Sequence, residues 1–357
     1  FSYFKNPDKE TVLTPWRVVN MHMSDTLGGW DFWDTEHKEM LDAPRYVDCG
    51  EVTKNTFGKE NARILEINSK TGLYPLYVVY SCYRNKLDII GDDNLTLEDK
   101  KELWRETVEE NLFVICKTPM AKTITKRTLL GYGSGRINAH CFDDLINTLK
   151  NKPEQFQKRV LKGSFWGKDV KNMRFDAIVG NPPYQESDGG GGSGRSASSI
   201  YPYFFKQSVE LKPDYISMIM PSRWFNGGKG LDDFRASMLS DSRISRIVDF
   251  CDSKYCFPTS DIAGGICYLL WDKKHSGNCL MKNILKNGAT FSDMRILNEY
   301  PVLVSNNRAI HIIRKVLNHK ELMLSEVVSS RKPFGLDSSA SFDKDGDIFL
   351  RSSKGNG

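Results

Sequence analysis

The tetrapeptide Asn181-Pro182-Pro183-Tyr184 gathers hydrogen-bond acceptors and one aromatic ring where no strong acid or base is present. Two successive prolines stiffen the backbone and remove two N–H donors, which leaves carbonyl oxygens free to accept. Asn181 adds a side-chain amide oxygen, and Tyr184 adds a flat amphipathic ring. This set suits a planar base that carries an exocyclic amine. The Asn181 oxygen and the Pro182 carbonyl can each take one amine hydrogen and draw the nitrogen lone pair toward an electrophile, while Tyr184 stacks on the base. Such chemistry is positioning plus electrostatic preorganisation and needs no strong general base.

Several elements have to place that tetrapeptide. Residues 175–179 (Phe-Asp-Ala-Ile-Val) read as a strand that ends at Gly180, directly before it. Further apolar, strand-sized runs fall at 63–66, 111–116, 215–220, 246–250 and 265–271. Helical periodicity covers 74–84, 96–110 with Thr96 as N-cap, 120–130, 201–211 and 231–239. Strands and helices in alternation, with strands apolar on both sides, predict an α/β fold with a mostly parallel sheet covered by helices on both faces. In such open sheets ligands bind beyond the carboxyl ends of the strands, where Asn181 to Tyr184 fall.

The segment Phe175 to Tyr184 resembles the catalytic motif of the amino-group DNA methyltransferases, in particular those acting on the N6 amine of adenine. The resemblance spans about residues 10–275 and is similar to the methylase part of fused type II restriction-modification proteins. It implies a Rossmann-like S-adenosylmethionine-dependent methyltransferase fold, a flipped-out target adenine and double-stranded DNA as partner. By the same resemblance Asn181, Pro182, Pro183 and Tyr184 are catalytic, and Phe257, in Cys256-Phe257-Pro258, clamps the other face of the base. Thr14-Pro15, at the start of 14–23, is similar to the family's N-terminal cofactor motif, which implicates Thr14, Pro15 and Met23. Glu66, Ile67, Asn68 and Gly72 match the first strand and its turn, and Asp143, with Asp144 competing, matches the contact to the cofactor's adenine ring. Two departures stand out. The first turn, Ser69-Lys70-Thr71-Gly72, has one glycine and can also be a plain helix cap, and the acid expected after the second strand is replaced by Cys116-Lys117-Thr118-Pro119. Alternatives therefore stay open: a DNA-binding module that has lost its cofactor, or methylation of cytosine N4 or a protein glutamine. Asparagine at the head of the motif favours adenine.

Composition narrows the class. With 357 residues, 39% hydrophobic and 27% charged, the chain is long enough for a real core and outside the disordered and disulfide-scaffold classes. Eight dispersed cysteines without a C-x-x-C pair read as reduced thiols, and with six scattered histidines no metal site is expected. No apolar run approaches a membrane span, so no membrane association is expected, and the reduced thiols lead to the expectation of a cytoplasmic protein. The net charge of +5 conceals structure along the chain: nine acids against three bases in 88–110, then thirteen bases against four acids in 111–174. The second block could line a phosphate track, which leans toward DNA over protein. A catalytic domain over 10–299 is expected, with a flexible glycine-rich loop at 188–199 that could close over DNA. Residues 300–357 would begin an incomplete target-recognition region, with fused or partner nuclease and recognition domains lying outside this fragment.

Overall fold

A computed structural model describes residues 13–319, apart from Asp143, 186–197, Lys229 and Asp261. The expected strands all form: β3 (Ile64–Ser69), β4 (Leu112–Cys116), β6 (Ala177–Gly180), β7 (Tyr215–Pro221), β8 (Ile244–Phe250) and β9 (Ile266–Asp272). Before them lies an unforeseen hairpin, β1 (Gly29–Trp33) with β2 (Met40–Val47); β5 (Asn138–Cys141), β10 (Cys279–Ile284) and β11 (Thr290–Arg295) were also not legible in the sequence. The helices are α1 (Trp16–Thr26), α2 (Glu51–Asn55), α3 (Leu73–Ile90), α4 (Leu97–Asn111), α5 (Pro119–Leu130), α6 (Leu145–Asn151), α7 (Pro153–Val160), α8 (Gly163–Trp166), α9 (Tyr201–Glu210), α10 (Asp232–Ser240) and α11 (Asn307–Asn318).

Among the described residues nine strands make one sheet, in the order β11-β10-β8-β9-β7-β6-β3-β4-β5. From β5 to β7 every neighbouring pair is parallel. β9 runs antiparallel between β7 and β8, and β11 is antiparallel to β10. The sheet is thus mostly parallel and doubly wound, as expected of a Rossmann-like methyltransferase fold. Chain order reverses between β3 and β6: one half steps outward through β4 and β5, the other through β7. A crevice opens at such a switch point, beyond the strands' carboxyl ends.

The period of two in the strands sorts side chains onto two cores. Ile64, Leu112 and Val114 join α1, α3 and α5 through Val18, Tyr77 and Leu129 on one face. Leu65, Ile67, Phe113 and Ile115 meet α6, α7 and α9 through Leu145, Phe156 and Phe204 on the other. Both faces of β3 and β4 are therefore dry: β4 is apolar throughout, and β3 is buried along its whole length although it carries Glu66, Asn68 and Ser69 toward its carboxyl end.

The helix starts are chemically marked. Thr96 and Asp99 form a reciprocal capping box on α4, and Thr118 accepts from the Ala121 N–H at 3.1 Å ahead of Pro119, the first residue of α5. The unit holding the sheet runs to Asn307, and a second unit begins at Arg308.

Candidate active site

β3 and β6 are hydrogen-bonded neighbours, so their carboxyl ends place residues 66–68 beside residue 181 at the switch point. The approach is tight at Gly180. Its φ is +151°, and a β-carbon there would stand 3.0 Å from the Ile67 carbonyl oxygen, so a side chain would force the two strand ends apart. Asn68 has φ +76°, a conformation asparagine tolerates better than most residues, and its side-chain nitrogen donates to the Asn181 carbonyl at 3.2 Å. Asn181 in turn donates through Nδ2 to Thr14 Oγ1 at 2.9 Å. Three residues inferred separately, from the start of α1, the end of β3 and the end of β6, thus form one hydrogen-bonded unit.

Two acceptors are left over in this unit. Asn181 Oδ1 is buried without a hydrogen-bond partner among the described residues, and the Pro182 carbonyl likewise receives no donor. A buried acceptor without a donor costs free energy and persists where a ligand satisfies it. Glu66 Oε2 is a third such atom. Burial pushes the Glu66 carboxyl up to about 8, against opposing pulls from Ser69 and Lys70, so it is held mainly protonated at neutral pH and can donate as well as accept. Lys70 is lowered to about 8, chiefly by burial.

Gly72 caps α3 in the left-handed region, at φ +77°, and a β-carbon there would lie 2.9 Å from Thr125 Cα. The turn is also tied to α5: Ser69 Oγ meets Thr125 Oγ1 at 2.9 Å, and Thr128 Oγ1 donates to the Thr71 carbonyl at 2.7 Å. One glycine therefore suffices, because threonines of α5 hold the remaining turn. Cys116-Lys117-Thr118-Pro119 has the same local logic: the expected acid gives way to the cap that starts α5.

Other residues of interest are placed as follows. Pro15 is the N-cap residue of α1, and its carbonyl accepts from Val18 and Val19. Met23 is fully buried in the core shared with Tyr77 and Val78, and Ile67 is buried in the opposite core. Tyr184 and Phe257 are both buried on the α1 side of the sheet, and burial pushes the Tyr184 hydroxyl well above its usual range, so it stays neutral. Asp144 is the N-cap of α6. Asp143 and the glycine-rich stretch 189–194 lie outside the described residues. On either side of that stretch Ile200 donates to the Tyr184 carbonyl at 3.1 Å, and Gln185 bridges Ser199.

The basic block 111–174 does not make one track. Lys122 and Arg127 ride on α5, on one face of the sheet, whereas Lys158 and Arg159 ride on α7, on the other. Spacing along the chain could not show that division.

Sequence reasoning missed a set of buried polar groups on the α1 side of the sheet. The hydroxyl of Tyr74, at the start of α3, lies 2.8 Å from Nδ1 of His22, which lies on α1. Burial lowers His22 to about 3, so its imidazole is neutral. A cleft of about 480 Å³ also opens at the carboxyl ends of β7 and β8, lined in part by Ser222, Asp249, Ser253 and Lys286. Asp249 accepts from Ser222 Oγ at 2.6 Å, and burial raises its carboxyl to about 6. Among the described residues no cluster of His, Cys, Asp and Glu could hold a metal, no helix is long and apolar enough to cross a membrane, and no two cysteines form a disulfide.

Comparison with known proteins gives the same direction. Residues 110–257 match the family described as Eco57I restriction-modification methylase. An "uncharacterized adenine-specific methylase" of Mycoplasma pneumoniae (strain ATCC 29342 / M129 / Subtype 1) is 36% identical over 146 residues, which is 40% of this chain and 34% of that protein. Among solved structures, the M protein of the type I restriction enzyme EcoKI aligns with 11% identity over 79% of this chain and 50% of its own, at a TM-score of 0.45. A nuclease-deletion mutant of the type ISP restriction-modification enzyme LlaGI, in complex with a DNA substrate mimic, aligns with 14% identity over 80% of this chain and 28% of its own, at a TM-score of 0.48. The chain thus spans about a third of the curated relative and half or less of these two solved chains.

Proposed function

We propose that this chain is the catalytic part of a restriction-modification adenine methyltransferase that moves a methyl group from S-adenosylmethionine to the N6 amine of a flipped-out adenine in double-stranded DNA. The observation that carries the reading is the pair of unsatisfied acceptors, Asn181 Oδ1 and the Pro182 carbonyl, at the switch point of a doubly wound sheet. An exocyclic amine has two hydrogens to give, and these are two acceptors for them. The adenine-specific relative and the matching family support the same class.

The cofactor's place follows from the residues on β3. The unsatisfied Glu66 Oε2, a protonated carboxyl at neutral pH, fits a ribose or amino-acid end rich in hydrogen-bonding groups, and Gly72, packed against Thr125 of α5, fixes the turn beside it. When bound, S-adenosylmethionine supplies a methyl group on a positively charged sulfur. Glu66, Asn68 and Gly72 would hold it, with Thr14 and Pro15 at the start of α1, Met23 within α1, and Ile67 framing the turn. Asp143 belongs to the same proposal through the family resemblance.

The protein's own part in the reaction is orientation. Asn181 Oδ1 and the Pro182 carbonyl hold the amine with its lone pair toward the methyl group, and Pro183 keeps the backbone extended behind them. Tyr184 stacks on the base, and Phe257 closes its other side. The amine becomes acidic once alkylated and loses its proton to water, so no basic side chain is required. Since Asn181 and Tyr184 are both buried, entry of a base requires local opening of this wall.

Labelled S-adenosylmethionine with mixed-sequence duplex DNA tests the reading. N6-methyladenine is expected with wild type and not with Asn181→Ala. Absence of cofactor binding by the wild type would instead favour a DNA-binding module, and methylated cytosine or protein glutamine would redirect the substrate. Target sequence, partner nuclease and cytoplasmic residence belong to the same proposal for the longer protein.

A further inference from the structure

Arg17 ties three separate segments together. It is the second residue of α1, and the approach to that helix holds Thr14, the hydrogen-bond partner of Asn181. The Arg17 guanidinium donates from Nη2 to the Tyr255 carbonyl. From Nη1 it donates to the carbonyl of His37, in the turn between β1 and β2, at 3.4 Å. Its Cζ also stands 4.9 Å from the centroid of the Tyr255 ring, which is itself stacked on Phe250 with centroids 5.4 Å apart and an interplanar angle of 23°. Tyr255 is thus held by its backbone and by its ring.

Tyr255 leads directly to Phe257. It ends a single 3₁₀ turn, Ser253–Tyr255, which Asp252 caps by accepting from the Lys254 N–H at 3.0 Å. The Ser253 carbonyl accepts from the N–H groups of Cys256 at 3.1 Å and Phe257 at 2.9 Å, and Ser253 Oγ accepts from the Ile262 N–H at 3.1 Å. The backbone that carries Phe257 is therefore one hydrogen-bonded piece with Tyr255 inside it. On its other flank Asp252, Ser253 and residues 262–265 line the cleft of about 480 Å³, which leaves this piece room to shift.

Phe257 and Tyr184 are buried in the same core. Burial keeps a ring inside but does not fix where along the core it sits, because hydrophobic attraction has no direction. A guanidinium is a rigid planar fork whose donors point in set directions, and a hydrogen bond from a charged donor is stronger than a neutral one. We propose that Arg17 is a positioning residue: it fastens the Phe257 segment to α1 and so sets the gap between Phe257 and the wall of Asn181 and Tyr184 that the base enters. The helix start is the common frame, since Thr14 meets Asn181 and Arg17 meets Tyr255. This rests on the reading of Phe257 as the residue that closes the other side of the base.

Hydrogen exchange and kinetics test this on the intact protein. Arg17 is only half-buried, so Arg17→Ala is expected to fold. Loss of a charged hydrogen bond should ease local opening by about ten- to a hundredfold, read as that loss of exchange protection at the Cys256 and Phe257 amides with β3 and β4 unchanged. KM for mixed-sequence duplex DNA should rise about tenfold, the lower end of the same range, while kcat and affinity for S-adenosylmethionine stay near wild type. Arg17→Lys, which keeps the charge and a donor, should recover part of both effects. Unchanged exchange at Cys256 and Phe257 overturns the fastening. Raised exchange with a wild-type KM for DNA overturns the role in base binding, and protection lost equally across the sheet marks Arg17 as a general stabiliser and overturns it as well. Wild type that makes no N6-methyladenine defeats the parent reading instead, and the exchange result still decides whether Arg17 holds the Phe257 segment.

Discussion

Asn181 Nδ2 donates to Thr14 Oγ1 at 2.9 Å, although 167 residues separate the two in the chain. The bond joins a residue two positions ahead of the first helix to the residue that follows the fourth strand of the main sheet. It makes the amide's orientation a property of the tertiary structure rather than of the Asn-Pro-Pro-Tyr segment. Thr14→Val keeps the shape and removes the hydroxyl. We expect kcat for adenine methylation to fall about tenfold, equivalent to about 1.4 kcal/mol and near the worth of one hydrogen bond. Thr14→Ser should retain most activity, and single-turnover kinetics at saturating cofactor would show whether the loss lies in the chemical step.

Glu66 makes stability depend on pH in a definite sense. Its carboxyl is raised to about 8 in the folded protein against 4.5 ordinarily. Between those values the folded state holds a proton that the unfolded state has lost, so stability from this residue falls as pH rises from about 5 to 8. Glu66→Gln, neutral at every pH, should remove that slope. Urea denaturation at pH 5 and pH 7.5 should show a smaller loss of stability in the variant than in wild type, and an equal loss would refute the assignment.

Gly72 has no room for a side chain and sits in a backbone region that side chains avoid. Gly72→Ala is expected to cost about 1–3 kcal/mol from the left-handed conformation, with the approach to Thr125 adding to it. Thermal unfolding would read the cost as a lowered Tm. Equilibrium dialysis with S-adenosylmethionine should show weaker binding, because the turn that Gly72 ends is the one proposed to hold the cofactor.

Phe257 is almost fully buried in the core that also holds Tyr184. Phe257→Ala should destabilise the protein by about 3–5 kcal/mol through the lost burial and the cavity left behind. Phe257→Leu should recover most of that stability. If the ring also clamps the base, Phe257→Leu will show a raised KM for DNA with near-normal Tm, a separation that packing alone would not produce.

Much of this molecule was written locally. The strand-plus-tetrapeptide 175–184, the apolar runs of β3 and β4, the Thr96 capping box and the Thr118-Pro119 helix start each depend on residues within a few positions of one another, so their pattern survives in one dimension. Parallel alternation and a tetrapeptide at the carboxyl end of a strand, where Asn181 is proposed to act, follow from that pattern. The hairpin of β1 and β2 was not legible, because its strands are half exposed and carry no clean alternation. The basic block 111–174 looked continuous, yet the crossover between β4 and β6 sends its helices to opposite faces of the sheet. Tertiary structure alone decided which groups meet. Thr14, Asn68 and Asn181 converge because β3 and β6 are neighbours at the reversal. His22, Tyr74 and Ser217 meet because α1 packs against both α3 and β7. Hydrogen bonds between residues so far apart leave no periodicity or spacing in the chain, so only the fold that brings the residues together reveals them.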